Sequence, residues 1–374
     1  MNFEGFIGGS ATPLSKTINT ERTINLYQET DPGTPKTPSS LIMRPALVPW
    51  TYIAPGPVRA LFMADGQQSG RMFGVSGGFF YEIAQSRNVT TLGQVETDAN
   101  PATISTNGSG GNQLFITSGG LGYIYNLSTG VFEQILDAEF LTPTAMGMYF
   151  ETYFLNLQRG TNTFQLSAIL DGLSWNGLDT GQCSLTSDQK FAMALTARTI
   201  MFAGAKNIEP WYNSGNASFP IQPESGVVIE HGVAAPYSFV NLDNTLYWLG
   251  RDANGSGIVW RFNGYTPERV STHPMENIIR GWQDQQSVLG FCFQFNGHAF
   301  YCLYYAQNDT TLVYDISTNT WVEWARWDEV WMRWFPLQAR CAVSGWGETF
   351  VGASDSGCIY KLSMTDYADE TVIL

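Results

Sequence analysis

Three features of this 374-residue sequence predict an all-β protein, a β-propeller of seven four-stranded blades closed by an N-terminal strand. Strand and turn formers dominate, with 23 Phe, 17 Tyr, 12 Trp and 38 Gly, and no long Ala/Leu/Glu/Lys-rich helical stretch intervenes. A phrase of four short apolar segments, separated by Gly, Ser, Asn and Asp, recurs along the chain. Its period is about 40 to 55 residues, the span of a four-stranded propeller blade.

In chain order, residues 1–57 read as an N-terminal extension and residues 58–374 as the propeller. The extension holds a Pro/Thr/Ser/Gly loop, ETDPGTPKTPSS, and a Pro-punctuated stretch, RPALVPWTYIAPGP. Before them lies ERTINLYQE, a short strand with Ile24 and Leu26 in alternation and no hairpin partner nearby. Such an orphan strand completes a sheet made by distant residues, and Ile24 and Leu26 are expected to close the ring.

The first blade unit reads VRALFMA, RMFGVSG, FFYEIAQ, NVTTLGQV; the second ATIST, NQLFITSG, LGYIYNL, GVFEQIL. The third contains AMGMYF, TYFLNLQ, TFQLSAI and GLSWNGL, and the fourth FAMALTA, TIMFAGA, IEPWYNS and SFPIQP. The fifth is YSFVNLD, TLYWLGR, GIVWRFN, TPERVST, and the sixth LGFCFQF, HAFYCLYY, TLVYDIS, TWVEWAR. The seventh offers RCAVSGW, ETFVGAS, GCIYKLS and a terminal ETVIL, so it lacks a clear fourth strand that the N-terminus could supply. Six blades remain the alternative if the weak fourth unit is something else.

The hairpins show the repeat best. VYDISTNTWVEW and IYNLSTGVFEQI align without a gap, and Asn319 stands where Gly130 does. These are residue types that accept positive φ, so the position demands a left-handed backbone and no reactive group. VWRFNGYTPERV is the same hairpin one residue shorter, its Asn263-Gly264 suiting a type I′ turn. THPMENIIRGW, between the fifth and sixth units, reads as a short helix with Thr272 as cap and Pro274 at an early position.

Charge and cysteine usage narrow the function. Net charge is −14, with 19 Lys+Arg against 33 Asp+Glu, which argues against a surface built to grip nucleic acid. Five scattered cysteines, without a C-x-x-C pair, make a poor disulfide framework and a poor zinc site. They read as buried thiols of a reducing compartment, with Cys292 and Cys302 inside apolar strands. The start lacks a signal-peptide pattern, and no apolar run reaches the ~18 residues of a membrane span. The six Asn-X-Ser/Thr triplets read as turn chemistry.

No catalytic or cofactor motif emerges, and no cofactor or metal is expected. His231, His273 and His298 occupy unrelated contexts, and there is no G-x-S-x-G, Walker or dinucleotide fingerprint. Sialidase-like propellers carry S-x-D-x-G-x-T-W hairpins and axial arginines; here SDSGCIY has the wrong spacing and few arginines lie within strands. Glycoside cleavage needs two carboxylates together, whereas Asp171, Asp179, Glu209, Glu230 and Glu276 are scattered among turns.

WVEWARWDEVWMRWFP stands apart. Trp324, Trp327, Trp331 and Trp334 follow a 3-4-3 spacing that would place four indoles on one face of a short helix. Packing against the propeller is one reading, and a contact with another subunit or partner is the other.

GGSATPLSKTINTERTINLYQE, LYWLGRDANGSGIVWRFNGYTPERVSTHPMENIIRGW and LVYDISTNTWVEW together resemble the packaged-DNA stabilisation proteins of short-tailed bacteriophages, tail accessory factors also called the tail hub or nozzle. The resemblance covers the first 30 residues and about Tyr237 to Trp324, and its most specific part is Pro267 to Thr272. It implies a structural virion protein without catalytic residues, made in the host cytoplasm and built into the tail. Such proteins form a homohexameric ring below the portal and adaptor rings and meet a tail needle, fibre or spike. The ring extends the DNA channel, helps retain packaged DNA and lets it pass on ejection without sequence-specific binding. An acidic ring would repel phosphate and let the duplex slide. Family members usually continue past the propeller, whereas this sequence ends at DETVIL, so truncation of the chain stays open. The rival reading is a carbohydrate-binding or carbohydrate-cleaving propeller of the phage tail, which paired axial carboxylates beside aromatics would mark.

Overall fold

The computed structural model describes residues 7–11, 21–30, 39–64, 70–252, 255–366 and 369. The terminal ETVIL segment lies outside them. Seven antiparallel blade sheets follow one another along the chain as predicted, and the strand nearest the axis comes first in each, except that Gly232–Val233 precedes it in the fifth sheet and Ala46–Tyr52 joins the seventh from the N-terminal side. These first strands are Val58–Ala64, Thr103–Thr106, Thr144–Phe150, Lys190–Thr196, Val240–Leu242, Leu289–Phe295 and Cys341–Gly345. Each packs against the first strand of the next blade, and the last packs against Val58–Ala64, so the seven close into a ring.

The second strands carry a repeating apolar position. Met72, Leu114, Met201, Leu246, Phe300 and Phe350 are all 2% exposed or less, and the seventh, Tyr153, is half-buried. Period-2 alternation puts such residues between sheets, so the core is distributed between neighbouring blades. Between the first two blades, for example, Phe73, Phe80, Leu114, Ile116 and Tyr125 pack together. The fourth unit forms a full four-stranded sheet, Lys190–Thr196, Thr199–Gly204, Ile208–Asn213 and Ile221–Pro223.

Ring closure does use a strand from the N-terminal region, but it is not the one carrying Ile24 and Leu26. The outer strand of the seventh blade is Ala46–Tyr52, paired antiparallel with Cys358–Ser363 (Leu47 opposite Leu362, Val48 opposite Lys361). The propeller therefore begins inside the predicted extension. Pro49 lies in this strand, and only an outermost strand tolerates a residue that cannot donate to the ladder.

Ile24 and Leu26 instead serve the sixth blade. Ile24 bridges Glu323 in parallel, with Asn25 N donating to Glu323 O (2.8 Å) and Glu323 N to Thr23 O (3.0 Å). Arg22 forks onto the carboxylate of Glu323, itself 1% exposed. Further along, Ser10 N donates to Trp321 O (2.6 Å), and a Cβ on Gly9 would sit 2.5 Å from that same carbonyl oxygen. Glycine is required there because the arm lies directly against the strand. Leu26 opens a hairpin, Leu26–Thr30 with Ser39–Met43, whose Tyr27 ring meets His298 and Phe300 edge-on. The arm thus covers the outer edge of Thr320–Asp328, an edge that would otherwise be open to strand pairing.

The local turn readings can be checked one by one. Asn319 and Gly130 both adopt positive φ, 54° and 72°. Asp315, in the turn's first position, accepts from Ser317 N (2.9 Å), Thr318 Oγ1 (2.9 Å) and His298 Nδ1 (2.8 Å). At the fifth-blade hairpin only Gly264 has positive φ, and Asn263 faces Thr266, so Gly264-Tyr265 forms the loop in the II′ pattern and not the expected I′. The helix His273–Arg280 is present with Pro274 in its first turn, but the Thr272 hydroxyl makes no capping bond.

All five cysteines are free thiols, three buried and Cys292 and Cys341 half-buried. Burial pushes the thiol of Cys292 up to about 12 and those of Cys341 and Cys358 up to about 11. An unfolded thiol ionises near 8.5, so the unfolded chain releases these protons first. This contribution to stability is complete below about pH 8.5 and is lost as pH rises through the folded values. Urea unfolding at pH 8 and pH 10.5 should show a lower midpoint at the higher pH; equal midpoints would refute the linkage.

Candidate functional sites: an exposed hairpin and an axial cavity

The tryptophan-rich segment is a β-hairpin, not a helix. Thr320–Asp328 runs into Arg333–Pro336, with Trp327 directly opposite Trp334. In a strand, positions 324 and 327 fall on opposite faces, so the four indoles cannot share one side. Trp324 is 1% exposed and packs on Phe300 and Phe293 in the core, which removes it from any interface. Trp327 and Trp334 meet edge-on at 5.1 Å. On the same two strands the guanidinium of Arg333 lies 4.3 Å from the Phe335 ring centre and that of Arg326 lies 5.5 Å from it.

The tip is what projects. Val330, Trp331 and Met332 are 87%, 71% and 70% exposed. Asp328 Oδ1 accepts from Val330 N (2.9 Å) and Trp331 N (3.0 Å), so the apolar tip is held by an Asx turn. Cross-strand aromatic and cation–π contacts stiffen the arms below it. The 3-4-3 spacing masked this arrangement. The alternation in TWVEW, followed by the turn former Asp328, was the signal for strand and hairpin.

The second feature lies on the propeller axis. The seven first strands surround a cavity of about 540 Å³ whose apolar wall includes Ala60, Ala102, Met146, Met193 and Phe291. At one end a cleft of about 300 Å³ adjoins it, lined by Asn100, Arg159, Phe191, Tyr237 and Gln286 among others. Tyr237 and Pro236 belong to both spaces. Among the described residues that line them there is no Asp or Glu.

The five carboxylates considered from sequence do not converge. Asp171 accepts from Gln113 Nε2 (3.2 Å) on the third blade, and Glu209 is fully buried against Lys190 on the fourth (3.1 Å). Glu276 accepts from Arg269 Nε (2.7 Å) and from Ser271 Oγ (2.6 Å) at the helix; Glu230 is exposed and Asp179 half-buried, on a connection and on the third blade. Among the described residues no group of three His, Cys, Asp or Glu side chains could hold a metal ion. His231 stacks on Trp260, His273 is exposed and His298 is engaged by Asp315. No helix of the described residues is long and apolar enough to cross a membrane.

Sequence reasoning missed the arginines of the axis. Arg59 sits 2.5 Å from Asp98, and Arg159 sits 3.6 Å from the other oxygen of the same carboxylate. Arg340 lines the cavity with Arg59. No local pattern announces this group, because its members come from three blades and their connections.

Comparison with known proteins agrees with the architecture. Streptogramin B lyase superposes with a TM-score of 0.52 at 11% identity, covering 91% of this chain and 98% of the lyase. An inactive virginiamycin B lyase from Staphylococcus aureus gives 0.53 at 11%, covering 85% and 98%. The extracellular domain of a one-component system from B. thetaiotaomicron gives 0.55 at 8%; 85% of this chain matches 40% of that one. At such identities the likeness is one of fold alone. The sequence finds no match among curated proteins. A family model does match residues 55–367, that of the bacteriophage P22 Gp10 β-propeller, a phage stabilisation protein. Since the match spans most of the chain, the protein belongs to the phage stabilisation family typified by the P22 Gp10 β-propeller.

Proposed function

We propose that this protein is a structural subunit of the phage tail, the hub or nozzle. In this reading six copies ring the DNA channel below the portal and adaptor, help retain packaged DNA and let it pass on ejection. The observation that carries the reading is family membership over residues 55–367. The axial cavity, at about 540 Å³, is the size of a small-molecule pocket. The duplex would therefore run through a ring of propellers, not along the axis of one. The net charge of −14 suits a ring past which phosphate slides. The described residues of the axial walls include no Asp or Glu, which weighs against glycoside cleavage there.

The Val330-Trp331-Met332 tip, flanked by Trp327, is the surface we assign to contact with a neighbouring subunit, an adaptor or portal ring, or a needle or fibre. Exposed apolar side chains on a stiffened hairpin lose little entropy on binding. Trp331→Ser should leave the isolated chain's stability within about 0.5 kcal/mol. It should weaken incorporation into tails about tenfold or more, as loss of an interface hot spot does. Imaging of tails assembled with wild-type protein tests the wider reading: six copies around the channel are expected. A single copy, or a position away from the channel, would overturn it. Normal incorporation of the Trp331→Ser chain would remove the tip from the interface.

A further inference from the structure

The axis holds a buried cation whose hydrogen bonds are incomplete. Arg340 is 9% exposed, its Nε has no partner, and its Nη2 makes one long bond to Ala99 O (3.4 Å). No carboxylate lies within ion-pair distance of it among the described residues. A buried guanidinium in this condition is costly unless an anion compensates it. Burial holds the guanidiniums of both Arg340 and Arg59 below their usual range; the charge of Arg59 adds to this at Arg340, and Asp98 opposes it at both.

The surroundings add charge of the same sign. Among the described residues Asp98 is the carboxylate that acts on both Arg59 and Arg340, and its oxygens are already committed. Oδ1 accepts from Arg59 (2.5 Å) and Asn100 N (3.1 Å), and Oδ2 from Asn100 Nδ2 (2.9 Å) with Arg159 at 3.6 Å. Arg59, Arg159 and Arg340 against Asp98 leave an excess of two positive charges in a chain of net −14. Arg59 spends its other donors on Asn100 O, Gly77 O, Glu96 O and Ser118 Oγ, so it ties the first two blades together. Arg340 and the half-exposed Arg159 keep donor capacity. Between them Tyr237 faces both spaces, and its phenol, pushed up to about 12 by burial, stays protonated and able to donate.

We propose that the axial cavity and its mouth bind a small oxyanion, a carboxylate or phosphate on an uncharged body, held by Arg340 and Arg159 with the Tyr237 hydroxyl. Guanidinium forks match both oxyanions, and each contact is charge-assisted. Ala60, Met146, Met193, Ala145 and Phe191 would face the uncharged body. The proposal stands apart from the tail-hub reading, since the site lies within one propeller.

Calorimetric titration of the full chain with inorganic phosphate and, separately, with benzoate tests it and distinguishes the two chemistries. One saturable site per chain for either probe is expected, with affinity at least about tenfold weaker in Arg159→Gln and in Arg340→Gln. Arg159 is partly exposed, so its variant should fold normally. A second readout separates binding from a structural role. Without probe, Arg340→Met should melt no lower than wild type, because it removes a buried unpaired charge. With probe, wild type should gain melting temperature and Arg340→Met should not. Absence of saturable binding for both probes, or unaltered binding in the two Gln variants, would overturn the assignment. A marked loss of melting temperature in Arg340→Met without probe would do the same, making the arginine a structural tie.

Discussion

Leu47→Ala is expected to lower the unfolding free energy by about 2–5 kcal/mol, the cost of emptying a buried leucine site. Leu47 is 2% exposed in the closing strand Ala46–Tyr52, opposite Leu362 and packed among Tyr27, Val351, Tyr360 and Leu362. The damage should exceed that of an ordinary cavity in one respect. The strand joins the two ends of the ring, and loosening it exposes Cys358–Ser363 as a free edge. The paired control is Leu26→Ala. Leu26 is half-buried at the start of a two-stranded hairpin, so its truncation should cost clearly less than that of Leu47. Urea denaturation of the two variants decides between the two assignments of closure. A Leu26→Ala variant as damaged as Leu47→Ala would return ring closure to the earlier strand.

The second large effect is expected at the fourth blade. Lys190 and Glu209 are both fully buried with Nζ and Oε1 3.1 Å apart. Lys190 also donates to Asn207 Oδ1 and Thr186 Oγ1, and Thr186 Oγ1 donates to Glu209 Oε1 (3.1 Å). Glu209 Oε2 has no partner, so the carboxylate depends on the lysine for most of its compensation. Lys190→Met should therefore cost about 3–5 kcal/mol, because it strands a charge in the interior. Adding Glu209→Leu removes the stranded charge, and the double variant should regain most of the loss. Thermal or urea unfolding of the two single variants and the double variant measures this coupling. If the double variant is as unstable as Lys190→Met, the pair contributes through packing and not through charge compensation. The same geometry explains why Glu209, a carboxylate considered for catalysis, has a structural role.

How far the sequence could be read depended on the range of the forces involved. Blade strands were legible because alternation and turn chemistry act over a few residues. Asn319 and Gly130 share a left-handed turn position set by local sterics, and the recurring apolar site at Met72, Leu114 and their equivalents is set by one strand's two faces. The closing strand was missed although its signal was present, since Pro49 marks Ala46–Tyr52 as suited only to an outer edge. Ile24 had the alternation of a strand, yet alternation does not say which distant edge it will cover, and Glu323 supplied that edge.

The candidate sites divide in the same way. The apolar tip Val330-Trp331-Met332 was legible as an unusual concentration of tryptophan, and misread as a helix because 3-4-3 spacing also fits a hairpin with a turn in its middle. Its exposure and the burial of Trp324 became visible only once the strand parity was set. The axial arginines had no sequence signature. By itself the sequence determined the repeat, its strands and most of its turns, because short-range sterics and periodic hydrophobicity dictate them. Tertiary structure alone decided which strand closes the ring, and only ring closure could bring Arg59, Arg159 and Arg340 to one axis from positions far apart in the chain.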